Sequence, residues 1–199
     1  MICAVVLAAG RSARMGVQKL LLPYRGQTII GHVVDEVLRS PVHRTFVVTG
    51  EDHERVIAAL SDRAVTFVRN PDPDADMLSS VRCGVRASPP ECDAILIVLG
   101  DQPAVTAAVI RSIVDEHRLH GDSIIVPVFG GRRGHPILVP IRFAREVLTA
   151  HDGVGLRGLL MAHPDDVLEL PVNVPGVLQD IDTPEDYRAA SGEGESNSR

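Results

Sequence analysis

The sequence predicts a doubly wound α/β layer fold, and three observations carry that expectation. Short apolar runs alternate with segments whose apolar residues recur at helical spacing. Two of the runs, "ICAVVLAAG" (2–10) and "DAILIVLGD" (93–101), are apolar without alternation. That pattern marks strands buried on both faces, as in a parallel sheet. The alternation continues along the chain with no internal repeat, which makes 1–190 a single domain.

The elements follow in order. The first strand ends at Gly10. Thr28 caps a helix with Ile29, Ile30, Val33, Val34, Val37 and Leu38 on one face, and Pro41 stops it. "RTFVVTG", "EDHERVIAALS" and "AVTFVRN" read as strand, helix and strand. "PDPDAD" is a loop, and a helix starts at Met77. After the strand 93–101, Thr106 caps a helix whose inner face carries Val109, Ile110, Ile113 and Val114. "SIIVPV" and "HPILVP" are strands joined by the Gly/Arg loop "FGGRRG". Helices over "IRFAREVLTA" and "GLRGLLMAH", a strand over "DDVLELPV" and a helix opening at Pro184 complete the pattern. The tail 191–199, "SGEGESNSR", is polar, without apolar anchors, and is expected to be disordered.

Composition excludes several classes of function. The net charge of -6 gives no general basic surface for nucleic acid. Aromatic residues are 3% of the chain and Trp is absent, which removes stacking platforms for single strands. Cys3, Cys83 and Cys92 have neither disulfide nor zinc spacing and read as small apolar residues in a reducing compartment. No basic segment precedes the first apolar run, and no run is long enough to span a membrane, so a cytoplasmic protein is expected.

Against that acidic background, the loop after the first strand is basic. In "LAAGRSARMGVQK", Gly10 and Gly16 free the backbone N–H groups to face an anion, and Arg11, Arg14 and Lys19 supply charge for phosphate oxygens. It is neither a P-loop nor a dinucleotide fingerprint, because the terminal Gly-Lys-Ser/Thr is missing and the glycine spacing differs. In an open α/β sheet, ligands bind outside the carboxyl ends of the strands. That rule gathers the Gly10 loop, the 70–76 loop and the turn at Asp101 into one candidate site. Asp101, in "LGDQP", is placed as a ligand of Mg²⁺, which takes one or two protein carboxylates plus phosphate oxygens. Asp180 and Asp182 in "QDIDTPEDY" are expected on opposite faces of an extended segment, so that only one joins the metal. Asp182 reads equally well as part of a helix start. "GGRRGHP" reads either as a hairpin turn with solvated arginines or as a site that offers two arginines and His135 to a second anionic substrate, with His135 positioning rather than acting as a base.

Together these motifs resemble nucleotidyltransferases that act on molybdopterin. "LAAGRSARMGVQK" is similar to their opening signature, "SSVRCGV" to a later helix start, and "GDQP", "RGHP" and "DIDTPEDY" to the cytidylyltransferase branch for molybdenum cofactor, in the family's order across residues 2–190. The resemblance implies a Rossmann-like three-layer α/β/α fold with a mostly parallel mixed sheet, of the nucleotide-diphospho-sugar transferase type. It implies CTP or another NTP and molybdenum cofactor as substrates, with CMP transferred and pyrophosphate released, and a molybdenum hydroxylase as eventual recipient. The implied catalytic residues are Lys19, Arg14 and Asp101. The implied nucleotide-binding set is Leu7, Ala8, Ala9, Gly10, Arg11, Ser12, Gly16, Lys19, Ser79, Ser80, Gly100 and Gln102. Asp101 and Asp182 match the Mg²⁺ positions, and Arg133, Gly134, His135, Pro136 and Arg157 fall on the acceptor side.

The guanylyltransferase branch has Gly where this chain has Ala9, so the extra Cβ favours a pyrimidine. Two stretches depart from the pattern: His151 stands where the family has glycine, and "PDPDADMLSS" lacks a glycine before its serines. Another phosphorylated acceptor, GTP as donor, an oxidoreductase on the same fold and a non-catalytic molybdenum cofactor chaperone are the competing readings.

Overall fold

The computed structural model describes residues 1–11, 15–72 and 76–192. The expectations for Ser12, Arg14 and the tail from residue 193 onward lie outside the described residues.

In chain order the elements are β1 (Ile2–Ala8), β2 (Pro23–Tyr24), β3 (Gln27–Thr28), α1 (Ile29–Leu38), β4 (Arg44–Thr49), α2 (His53–Ala59), β5 (Thr66–Arg69) and α3 (Met77–Ala87). Then come β6 (Ala94–Leu99), α4 (Ala107–Leu119), β7 (Ile124–Phe129), β8 (Arg132–Arg133), β9 (Ile137–Pro140), α5 (Ala144–Thr149), α6 (Leu156–Ala162), β10 (Val167–Pro171) and α7 (Pro184–Ser191). The side chains of Thr28 and Thr106 accept hydrogen bonds from the backbone N–H groups of Gly31 and Val109, so the two expected caps form. "IRFAREVLTA" is shorter as an α-helix than its pattern suggests, because Ile141–Phe143 winds as a 3₁₀ turn before α5.

The main sheet has eight strands in the order β10-β7-β9-β6-β1-β4-β5, with β8 paired to β7. β1 is central and runs parallel to β4 and β6, and β5 extends that parallel set. β9 is antiparallel to both β6 and β7, while β10 returns parallel to β7. The sheet is therefore mixed and mostly parallel, as expected.

Alternation along the strands fills two apolar layers. Ala4, Val6 and Ala8 of β1 face a core shared with α1, α2 and α4. Cys3 and Val5 face the other core, shared with α3, α5 and α6. The long apolar runs are thus required by helices on both faces. Burying a Val, Leu or Ile side chain is worth about 1.5–3 kcal/mol, so these two layers hold the strand ends rigidly enough to carry a site.

Candidate active site

β1, β4, β5 and β6 all point their carboxyl ends at the same edge of the sheet. A cavity of about 270 Å³ opens there, lined by Leu7, Ala9, Gly10, Asp76, Met77, Ser80, Leu99, Asp101, Asp180 and Asp182. Close approach of β1 and β6 at its floor requires a glycine. A Cβ at Gly100 would lie 2.6 Å from the Leu7 carbonyl oxygen. Ala8, one residue before the cavity, is buried in the core rather than exposed to it.

Lys19 leaves the opening loop on a 3₁₀ turn capped by the Gln18 side chain. Its Nζ donates to Asp101 Oδ2 at 2.5 Å and to Asp182 Oδ1 at 2.7 Å. Only 8% of Lys19 is exposed. Burial by itself would depress the ammonium's pKa, but the charge and hydrogen bonds of Asp101, followed by those of Asp182, raise it above the ordinary lysine value. Lys19 is therefore charged throughout the neutral range.

The segment carrying Asp182 reaches the site through one backbone bond, from the Ile181 N–H to the Asp101 carbonyl at 3.0 Å. Ile181 turns into the core, and Asp180 and Asp182 on either side of it both line the cavity. This corrects the expectation of opposite faces: residues two apart on an extended chain share a face. Asp180 Oδ1 accepts from Gln102 Nε2 at 2.5 Å. Burial, reinforced by the charges of Asp101 and Asp182, raises the Asp180 pKa despite that bond. Gln102 is buried with its Oε1 unpartnered. Asp182 also belongs to a helix start, as its second reading anticipated. Its N–H donates to Asp186, which forms a capping box with Thr183.

Two carboxylates hold the Lys19 ammonium and a third, Asp180, lines the same cavity, leaving the cluster net negative. That chemistry suits Mg²⁺ or Mn²⁺. Among the described residues, no three His, Cys, Asp or Glu side chains converge tightly enough for a preformed metal cage.

The other expected residues divide. Gly10 lines the cavity, whereas Arg11 is exposed and lies 3.9 Å from Glu51, and Gly16 adopts a left-handed φ of 67°. Ser79 and Ser80 sit in the first turn of α3, which Asp76 caps at 2.7 Å. His135 reaches the site because β9 runs antiparallel to β6, so its start lies beside the end of β6. Burial pushes the His135 imidazole down to about 4 against the opposing charge of Asp101, which keeps it neutral at pH 7. Gly134 is backbone-packed: a Cβ there would lie 2.2 Å from the Val177 carbonyl oxygen. Pro136 is buried beside it. Arg133 is exposed and pairs with Glu169 on β10 at 2.7 Å, and Arg157 is exposed in the first turn of α6. Neither arginine lines the cavity.

His151 has a left-handed φ of 69°, the backbone state glycine adopts without strain, and its Nε2 lies 2.7 Å from Glu146 Oε1. Its loop is tied to the site's own helix: Arg82 of α3 donates to the carbonyls of Val147 and Ala150 and pairs with Asp152. Sequence reasoning missed two contributions: Gln18 links the opening loop to Asp52, and Asn70 holds both α3 serines. Asp180, set against Asp182 as the alternative metal ligand, lines the cavity together with it. The Asn-Pro pair closing β5 is the one local signal that could have pointed to Asn70.

Known proteins resemble the chain along most of its length. The chain is 31% identical to the molybdenum cofactor cytidylyltransferase of Escherichia coli K12 over 190 residues, covering 94% of this chain and 93% of that one. It is 27% identical to the nicotine blue oxidoreductase of Paenarthrobacter nicotinovorans, covering 92% and 93%. Among solved structures, Rv0371c from Mycobacterium tuberculosis H37Rv superposes with a TM-score of 0.86 at 32% identity, covering 96% and 97%. A manganese complex of that protein superposes at 0.81. Residues 4–167 match the MobA-like NTP transferase domain. With Lys19 and paired aspartates gathered at the carboxyl edge of that fold, the chain belongs to the MobA-like NTP transferase family and is a nucleotidyltransferase.

Proposed function

We propose that this protein transfers CMP from CTP to molybdenum cofactor, with Mg²⁺, releasing pyrophosphate. The observation that carries the reading is the Lys19 ammonium held between Asp101 and Asp182 beside the glycine loop. The cytidylyltransferase among its relatives supports the same donor and acceptor. Ala9 at the cavity wall supports a pyrimidine base, because its Cβ takes space that a purine would need.

In this reading a terminal phosphate oxygen of the cofactor's pterin attacks the α-phosphorus of CTP. The bond from the α-phosphorus to the bridging oxygen breaks, and pyrophosphate leaves with that electron pair. Asp101 and Asp182 would hold Mg²⁺, which supplies Lewis-acid neutralisation of phosphate charge. Lys19 turns its ammonium to the phosphates, where charge grows in the transition state. The glycine loop presents N–H groups to the triphosphate. Neutral His135 orients the acceptor and carries no proton through the reaction.

The test is pyrophosphate release from each NTP with purified molybdenum cofactor. CTP-dependent release that requires a divalent ion is the expected result. Release with GTP alone overturns the base assignment. No release with any NTP, together with acceptor-independent redox turnover, favours the oxidoreductase reading that one relative's name brings in.

A further inference from the structure

Asn70 is buried just after β5, 4% exposed, at the carboxyl edge of the sheet. Its backbone N–H donates to the Thr49 carbonyl at 2.8 Å, tying it to the neighbouring strand. Its side-chain Oδ1 accepts from the Asp72 N–H at 3.2 Å. That bond decides which end of the carboxamide is oxygen, because the reverse orientation would set an NH₂ against an N–H. Nδ2 therefore faces α3. It donates to Ser79 Oγ and to Ser80 Oγ, each at 3.1 Å.

A hydroxyl that accepts on one side must place its proton elsewhere. Neither Ser79 nor Ser80 donates that proton to any partner among the described residues. Ser80 is buried, 5% exposed, and lines the same cavity as Leu7, Ala9, Leu99 and Asp101. A buried O–H left without an acceptor is destabilising. A ligand that offers an acceptor there recovers this cost, and one that offers a donor does not.

We propose that Asn70 is a specificity-determining positioning residue: by donating to both serines it turns the Ser80 hydroxyl into a hydrogen-bond donor toward the ligand. The cavity then selects a base whose N3 is a bare acceptor, as in cytosine, over one that carries an N3–H there, as in uracil. This rests on the CTP reading and deepens it, since it separates two pyrimidines of equal size that the Ala9 Cβ cannot tell apart.

The experiment measures kcat/KM for CTP and UTP in the parent and in Asn70→Asp. The carboxylate keeps the acceptor for Asp72 but takes the serine protons instead of donating to the serines, so both hydroxyls reverse. The CTP:UTP ratio is expected to narrow tenfold or more, chiefly through KM. An unchanged ratio in folded Asn70→Asp overturns the proposal. Ser80→Ala supplies a second arm, expected to narrow the ratio similarly, and Asn70→Asp/Ser80→Ala is expected to be no worse than Ser80→Ala alone. A retained CTP:UTP ratio in Ser80→Ala overturns the proposal even if the Asn70 variant fails to fold. Equilibrium competition between CTP and UTP for the parent and Ser80→Ala reads the same selectivity without turnover. A parent that selects CTP in binding yet transfers to no acceptor would refute the acceptor reading and leave this one standing.

Discussion

Replacing Lys19 with Met keeps most of the side-chain volume and removes the one ammonium shared by Asp101 and Asp182. The side chains are 10%, 21% and 45% exposed respectively, so the two contacts are not equal. The bond to Asp101 is charge-assisted and well shielded, worth about 1.5–3 kcal/mol. The bond to Asp182 is nearly half in water and is worth about 0.2–1 kcal/mol. Their loss therefore costs about 2–4 kcal/mol, or about 5–15 °C in Tm for a chain of this size. A divalent ion should reverse part of that loss. In the parent it must displace Lys19 from both carboxylates, whereas in the variant nothing competes. The assay is thermal unfolding of parent and Lys19→Met with and without MnCl₂ or MgCl₂, at one pH. The variant is expected to melt lower without metal, to gain more from metal than the parent does, and to have kcat reduced tenfold or more. A variant with unchanged Tm and no gain from either ion would refute the argument that Lys19 stands in the cation position.

Three further predictions test neighbouring parts of the site. Asp101→Asn should lower turnover strongly with folding intact, and Asp182→Asn more weakly, since Asp182 is the more exposed partner; if Asp182→Asn instead lowers Tm while turnover per folded molecule survives, its part in the helix start outweighs its part in the metal site. Ala9→Gly should relax preference for CTP over GTP by about 1–3 kcal/mol, read as the ratio of kcat/KM values, and equal use of both by the parent would refute the steric argument. His135 has a folded-state pKa of about 4 against an ordinary 6.5, so its contribution to stability is complete above about pH 6.5 and is lost as the pH falls toward 4. Acid titration of Tm should therefore show a steeper fall across that window in the parent than in His135→Gln, and identical slopes would refute the burial argument.

The apolar runs and helix caps settled most of the fold before any contact was known. Residues 2–10 and 93–101 read as strands covered on both faces, and Thr28 and Thr106 as helix openings, because those readings follow from local hydrogen bonding and apolar patterning. The same local logic drew attention to Lys19 and Asp101, and the family resemblance to the α3 serines. It failed where partners are distant in sequence. Lys19 meets Asp182 across 163 positions, and the meeting depends on one backbone bond from Ile181 to Asp101. The antiparallel entry of β9 brings His135 beside Asp101 but leaves Arg133 paired with Glu169, a division that "RGHP" does not reveal. Asn70 shows the limit most sharply. The sequence presents it as a turn residue before proline. Only the packing of β5 against α3 makes it a double donor, because a side chain's hydrogen-bond polarity is fixed by the groups the fold sets around it.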